Sequence, residues 1–168
     1  MTTPHLHVLG IAPGDSSAWC LLTVPRLSIF GCEPSSILDR DYGEFHGTEE
    51  SQATEIARLA REIQGLDYKT GPAVITGSYD IDLESLRIGA MIGLLHFQGK
   101  LADSTITFQG RTVARETVTD KQLKRLHYWT GSPNINDAHR HAITALRQAK
   151  ADPEFAHKLW PYPPDGNS

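Results

Sequence analysis

The chain has 168 residues, 39% of them hydrophobic and 21% charged, which is typical of one globular domain with a core of its own. Its formal net charge of −4 argues against a domain whose main task is holding DNA phosphates, because that task usually needs a basic surface. No apolar run approaches the roughly 18 residues of a membrane span. The cysteines, Cys20 and Cys32, lack the spacing of a metal site or a disulfide framework, so we expect a reducing, cytosolic compartment.

The chain opens on a strand, a turn and a return strand. The apolar run from Leu6 to Ile11 predicts a buried central strand. Pro13 and Gly14 favour a tight turn, because proline fixes φ and glycine tolerates left-handed conformations. The second apolar run, Ala18 to Val24, predicts an antiparallel strand that pairs with the first.

Helices and strands alternate in the middle of the chain. We place a third strand at 26–30 and a loop over 31–45. A helix follows, capped by Thr48 and ended by Gly65. A short apolar run at 72–76 then predicts a buried parallel strand.

The next helix begins at or near Asp82, and 104–109 alternates like a strand. Five apolar residues of that helix are expected to face inward: Leu83, Leu86, Ile88, Ile92 and Leu95. The small residues Gly89 and Gly93 favour close packing, either inside the domain or across a homodimer interface.

The C-terminal part contains two helix starts. Thr119 and Gln122 have the spacing of a capping box. The residues 131–133 break that helix, and Asn134 is expected to cap the last long helix. Five apolar residues of the last helix are expected to face inward: Ala138, Ala142, Ile143, Ala145 and Leu146.

We divide the chain into a domain at 1–152, closed by Pro153, and an aromatic, proline-rich tail at 153–168. The tail is either a frayed end with aromatics folded back or an extended arm that docks on a protein partner. Its binding candidates are Phe155, Trp160 and Tyr162.

The order of elements predicts an α/β domain of the ribonuclease H-like type, with a mixed five-stranded sheet flanked by helices. Four motifs resemble those of the phage RuvC-like Holliday-junction resolvases. They are the strand end GIAPG at 10–14, AVITGSYDI at 73–81, RIGAMIGLL at 87–95 followed by a strand ending in Gln109, and NINDAHRHAITAL at 134–146.

The resemblance implies a site for two Mg²⁺ ions, held by carboxylates from two strands and the last helix. The family's metal-binding positions correspond to Ala12, Gly77, Asn134 and Asp137. Asp137 alone is a carboxylate there. The resemblance therefore implies a degenerate site, and we expect no bound metal.

Two alternatives keep DNA as the partner. In an active Mg²⁺-dependent Holliday-junction endonuclease, Asp15 and Asp80 would join Asp137 as ligands, or Ala12 would be an engineered replacement of Asp. In a protein that binds branched DNA without cutting it, the contacts would come from five basic residues: Lys121, Lys124, Arg125, Arg140 and Arg147.

Our principal hypothesis is a catalytically inactive RuvC-like protein that serves as a scaffold or binding component. The resemblance to phage members implies a phage-encoded chain, found in the host cytoplasm or as a structural component of the virion. Its partners would be proteins, contacted through the tail, and no membrane is implied. Plainer interpretations exist for Asp137, as a first-turn carboxylate favoured by the helix dipole, and for Asn134, as an N-cap.

Overall fold

The computed structural model describes residues 5–25, 37–66, 73–76, 83–101 and 105–159. The elements within these ranges are, in chain order, β1 (His5–Ala12), β2 (Ser17–Pro25), β3 (Asp39–Phe45), α1 (Glu49–Leu66), β4 (Ala73–Thr76), α2 (Leu83–Phe97), β5 (Thr105–Phe108), α3 (Arg111–Thr117), α4 (Asp120–Arg125), α5 (Pro133–Ala151) and α6 (Pro153–Leu159).

The strands form one sheet in the order β3-β2-β1-β4-β5. β1 pairs antiparallel with β2, and β2 pairs antiparallel with β3. β4 lies parallel to β1 on its other side, with Gly10 opposite Ile75, and β5 lies parallel to β4. The predicted mixed α/β architecture is therefore confirmed.

β3 corrects the prediction of a loop over 31–45. Its sequence, DRDYGEF, is polar and contains a glycine, so it lacks the apolar alternation that marks a half-buried strand. Charged residues are common on edge strands, and β3 is one edge of this sheet. Gly43 lies against the ring of Trp19, whose Nε1 would be 2.9 Å from an added Cβ. The third strand predicted at 26–30 lies outside the described residues.

β1 is the centre of the core, since it is buried on both faces. On one face Leu6, Val8 and Ala12 pack with apolar residues of α5. On the other face Leu9 and Ile11 pack with residues of α1 and α2. The five α5 residues predicted to face inward are all buried, as expected.

Gly10 sets the distance between β1 and α5. A Cβ at this position would lie 2.3 Å from the carbonyl oxygen of Ala138 and 2.9 Å from the backbone nitrogen of Ala142. Both are helix backbone atoms and have little freedom to move aside. The absence of a side chain at Gly10 is therefore what brings the start of α5 close to the end of β1.

Two predicted helix caps are confirmed. The backbone N–H of Ser51 donates to the Thr48 hydroxyl at 3.2 Å, at the start of α1. Thr119 and Gln122 form the predicted capping box of α4, with both reciprocal hydrogen bonds present.

The cap predicted for α5 is wrong by two residues. Ser132 is the N-cap, and its hydroxyl accepts from the backbone N–H of Ile135 at 3.3 Å. Pro133 occupies the first helical turn, where its missing N–H costs nothing and where it keeps the preceding residue extended. Asn134 lies inside the helix, and its amide donates to the carbonyl of Ser16 at 3.3 Å.

One inward-facing residue predicted for α2 is also wrong. Ile88 and Ile92 are buried, but Leu86 is half-exposed. Leu86, Leu94 and Phe97 together form an exposed apolar face of α2, and Phe97 is 89% exposed. The helix is apolar around most of its circumference, so its sequence does not reveal which side packs on the core.

Pro153, which we expected to close the domain, begins α6. Asp152 caps this helix, since its carboxylate accepts from the backbone N–H groups of Glu154 and Phe155. Ala156 and Leu159 are buried in the core beside α5, so this part of the chain is packed and helical. Trp160 and Tyr162 lie outside the described residues. No helix in the described part of the chain is both long and apolar enough to cross a bilayer.

Candidate functional site

The end of β1, the start of α5 and helix α3 meet at one edge of the sheet. Ala12, the last residue of β1, is 2% exposed and contributes only a methyl group. The carbonyl of the next residue, Pro13, accepts a hydrogen bond from Arg111 Nη2 at 3.5 Å. A guanidinium therefore contacts the backbone directly after Ala12, the position where the resemblance implied a metal-binding carboxylate.

Asp137 lies at the centre of an arginine cluster, which consists of Arg111, Arg115 and Arg140. Arg115 donates from Nε to Oδ1 at 3.1 Å and from Nη2 to Oδ2 at 2.8 Å. Arg140 Nη1 donates to Oδ1 at 2.8 Å, and Arg111 Nε lies 3.6 Å from Oδ2. The Asp137 side chain is only 3% exposed, so both of its oxygens are occupied by guanidinium groups in a site nearly closed to water.

The electrostatics keep this carboxylate ionised. Burial alone would raise the pKa of Asp137, because a charged group loses its hydration. The hydrogen bonds and positive charges of Arg115 and Arg140 outweigh burial, and the pKa is held below its ordinary value. Asp137 is therefore a buried anion whose charge is matched by its own arginines.

Arg140 connects three elements. It is 5% exposed, and besides Asp137 it donates from Nε to the carbonyl of Val118 at 2.9 Å. Its Nη2 also pairs with the carboxylate of Asp120. Arg147 similarly donates to the carbonyl of Thr117. Two of the five basic residues proposed for DNA contact thus hold α3 and α4 against α5.

The comparisons with known proteins concern the fold. No family model matches the sequence, and no curated protein matches it. Two solved structures of RuvC are similar to this chain. Each match covers 87% of this chain and 96% of the RuvC chain. The first, T. thermophilus RuvC in complex with Holliday junction substrate, has a TM-score of 0.57 at 13% identity. The second, a Thermus thermophilus RuvC structure, has a TM-score of 0.59 at 11% identity.

The fold is similar to that of RuvC. This likeness confirms the predicted RuvC-like fold.

The described residues do not fit a pair of magnesium ions. Mg²⁺ prefers octahedral oxygen coordination, whereas Ala12 offers no oxygen and both oxygens of Asp137 face guanidinium groups. Asp15 is exposed in the turn after β1. Within the described ranges, no three His, Cys, Asp or Glu side chains converge as a metal site would require. Gly77 and Asp80 lie outside those ranges.

Positive charge is concentrated around this edge of the RuvC-like fold. The segment 111–125, which contains α3 and α4, has five basic and two acidic residues and so a formal charge of +3, in a chain of net charge −4. Lys121, Lys124 and Arg125 are exposed on α4, and Arg115 has 52% of its side chain exposed. Sequence reasoning missed Arg111 and Arg115. The two arginines follow the strand that ends near Gln109, and because they are four residues apart they lie one turn apart on a helix.

The last helix also carries two buried histidines. His141 Nδ1 hydrogen-bonds Gln109 Oε1 at 3.2 Å, and among the described residues its Nε2 has no hydrogen-bond partner. His139 Nε2 accepts from Arg40 Nη1 at 3.1 Å, because a guanidinium only donates. Its Nδ1 must then carry the proton that bonds the carbonyl of Ile135 at 2.8 Å. Burial is the main cause that lowers the pKa of each histidine to about 4, so both rings are neutral at pH 7.

Proposed function

We propose that this chain is a RuvC-like protein that binds branched DNA through guanidinium groups and does not hydrolyse it. No metal cofactor takes part. The observation that carries the proposal is the arginine cluster around Asp137, at the end of β1 where the resemblance implied two magnesium ions. The positive charge of this site comes from arginine side chains and not from metal ions.

The absence of hydrolysis follows from what arginine cannot do. Two-metal hydrolysis needs ions that lower the pKa of a bound water and hold both the attacking and the leaving oxygen. A guanidinium stays protonated and only donates hydrogen bonds, so it neutralises a phosphate without generating a nucleophile. Asp137 cannot serve as a general base either, because its lowered pKa makes it a poor proton acceptor at neutral pH.

The binding of phosphates follows from the exposure and charge of the same edge. Arg115 is half-exposed, and a planar guanidinium matches two phosphate oxygens in the way that it matches the two oxygens of Asp137. The basic residues of α4 extend the positive surface beyond the cluster. Branched DNA is the proposed partner because the similar RuvC structure is in complex with Holliday junction substrate.

The test is the affinity of the purified protein for a fluorescently labelled four-way junction, measured by anisotropy in EDTA across a series of salt concentrations. Arg115→Gln should weaken binding about fivefold or more and reduce the slope of log affinity against log salt by about 1. The matched control is Arg58→Gln on α1, where the arginine pairs with Glu55 and Glu62 on an exposed helix face. This control should bind within about twofold of wild type.

A double variant of α4, Lys121→Gln with Arg125→Gln, separates charge from stability, since both side chains are exposed. The double variant should also weaken junction binding and reduce the slope of log affinity against log salt. Junction affinities that are the same for wild type, Arg115→Gln and the α4 double variant would contradict the proposal. So would a wild-type protein that does not bind the junction at low salt.

A second candidate function is the inactive scaffold, phage-encoded and present in the virion, that works through protein contacts. The exposed apolar face of α2, formed by Leu86, Leu94 and Phe97, favours it, because such a patch is typical of a protein interface. Light scattering after size exclusion tests it. Under this hypothesis Leu94→Ser with Phe97→Ser dissociates an assembly, either of this chain or with a partner protein, while junction binding is unchanged.

A further inference from the structure

A cleft lies beside the arginine cluster and shares Arg115 and Arg140 with it. It has a volume of about 460 Å³ and opens between α3, the loop before α5 and the first turn of α5. This volume falls within the roughly 300–1,000 Å³ of small-molecule sites. Its lining includes Arg115 and Arg140 together with Trp129 and Gly131.

Trp129 is an aromatic platform on this wall. Trp129 is 41% exposed, so a large part of its side chain is open to solvent. Lys124 Nζ lies 4.6 Å from the ring centroid, so a cation covers part of the indole. Exposed aromatic rings combined with nearby cations are how proteins bind single-stranded nucleic acid, through base stacking and phosphate contact.

The loop that carries Trp129 is held in place by its neighbours. Asn136, 2% exposed, accepts from the backbone N–H of Thr130 at 2.8 Å and donates to the carbonyl of Thr130 at 3.1 Å. On the other side, the N–H of Tyr128 donates to the carbonyl of Leu123 at 2.9 Å. The platform is therefore preorganised, which reduces the entropy lost when a ligand stacks on it.

The basic side chains of the cleft are suited to a phosphate. Arg115 lines the cleft and is half-exposed, and Arg140 also forms part of its wall. Asp120 also lines the cleft, and its negative charge is paired with Arg140. The same cleft thus offers an aromatic surface for a base and a guanidinium for a phosphate.

We propose that this cleft takes one unpaired nucleotide of a DNA strand, with its base stacked on Trp129 and its phosphate bound by Arg115. The inference rests on the proposed DNA-binding function and deepens it, because it names an unpaired base as the feature recognised. A base within a duplex is stacked on both sides and cannot reach the ring without leaving the helix.

The test compares three labelled probes by fluorescence anisotropy: a single-stranded oligo-dT, a duplex of the same length and a four-way junction. Trp129→Ala should weaken oligo-dT binding about tenfold and leave duplex binding within about twofold, because only an unpaired base can stack on this ring. Trp129→Phe keeps an aromatic ring and should stay within about threefold of wild type. Circular dichroism of each variant checks that the fold is retained.

Tryptophan emission gives a second readout of the same contact. Oligo-dT should quench wild-type emission, and the quenching should disappear in Trp129→Phe although anisotropy still reports binding. The matched control is Trp19→Phe, since Trp19 stacks on Phe45 between β2 and β3 and should not contribute to the quenching.

The outcomes separate this proposal from the one it rests on. If wild type binds duplex and junction but Trp129→Ala binds oligo-dT as tightly as wild type, the cleft proposal is wrong and the DNA-binding proposal stands. An equal loss on oligo-dT and duplex would also contradict it, because stacking on an unpaired base predicts a selective loss. If wild type binds none of the three probes, both proposals are wrong.

Discussion

Arg115 and Asp137 form a two-pronged ion pair, with Nε 3.1 Å from Oδ1 and Nη2 2.8 Å from Oδ2. One partner is nearly fully buried on α5 and the other is half-exposed on α3. The pair therefore joins two elements at the edge of the sheet and places a guanidinium between a buried anion and the solvent. This arrangement explains both how the buried Asp137 stays ionised and why it is a poor ligand for a metal.

The first prediction concerns the stability supplied by Asp137. Asp137→Asn should lower the free energy of unfolding by about 3–5 kcal/mol, because it leaves the buried Arg140 short of its anion. Urea denaturation followed by circular dichroism measures this. Glu62→Gln is the matched control, since its ion pair with Arg58 is exposed and should cost less than about 1 kcal/mol. An Asp137→Asn variant as stable as the control would contradict the role given to the cluster.

The second prediction concerns the contact between β1 and α5. Gly10→Ala should destabilise the protein by about 3 kcal/mol or more, because its Cβ would overlap the backbone of Ala138 and Ala142. Gly93→Ala on α2 is the control, since a Cβ there meets no atom of the described residues within 4 Å and alanine is the better helix former. It should raise stability by up to about 1 kcal/mol. The stability of both variants is measured by thermal unfolding. Equal changes in stability would show that β1 and α5 are not in close contact at Gly10.

The third prediction is a loss of stability in mild acid. The unfolded imidazoles of His139 and His141 take up protons below pH 6.5, whereas the folded rings resist until about pH 4. Between those values the unfolded chain binds more protons, so the free energy of unfolding falls as the pH is lowered. Each histidine contributes about 3 kcal/mol across this range.

Urea denaturation at a series of pH values between 7 and 4 checks this dependence. His141→Gln removes one of the two groups and should reduce the slope of stability against pH by about half. A wild-type stability that does not change over this interval would contradict the neutral, buried state assigned to both rings.

The parts of the fold that were predictable have strong local patterns. β1 and β2 are continuous apolar runs, and α5 repeats small apolar residues at helical spacing. β3 was not predictable in this way, because its stability comes from pairing with β2 and from the ring of Trp19 over Gly43. Leu86 was misassigned because α2 is apolar on more than one side.

The site was predictable only in part. Asp137 was identified from its place in a motif, but its partner Arg115 lies 22 residues away on another helix, a distance over which sequence spacing carries no contact information. Arg140 is a second residue whose surroundings could not be predicted from the sequence. As a basic residue it was a candidate for DNA contact, and its burial against Val118 and Asp120 comes entirely from the tertiary structure.

The most direct test of the account is to follow a labelled four-way junction with the wild-type protein in Mg²⁺, in Mn²⁺ and in EDTA, on native and denaturing gels. We predict a retarded complex in all three conditions, including EDTA, and no cut strand in any of them. Strand cutting that requires Mg²⁺ or Mn²⁺ and is lost in Asp137→Asn would contradict the account, because it would make Asp137 a metal ligand.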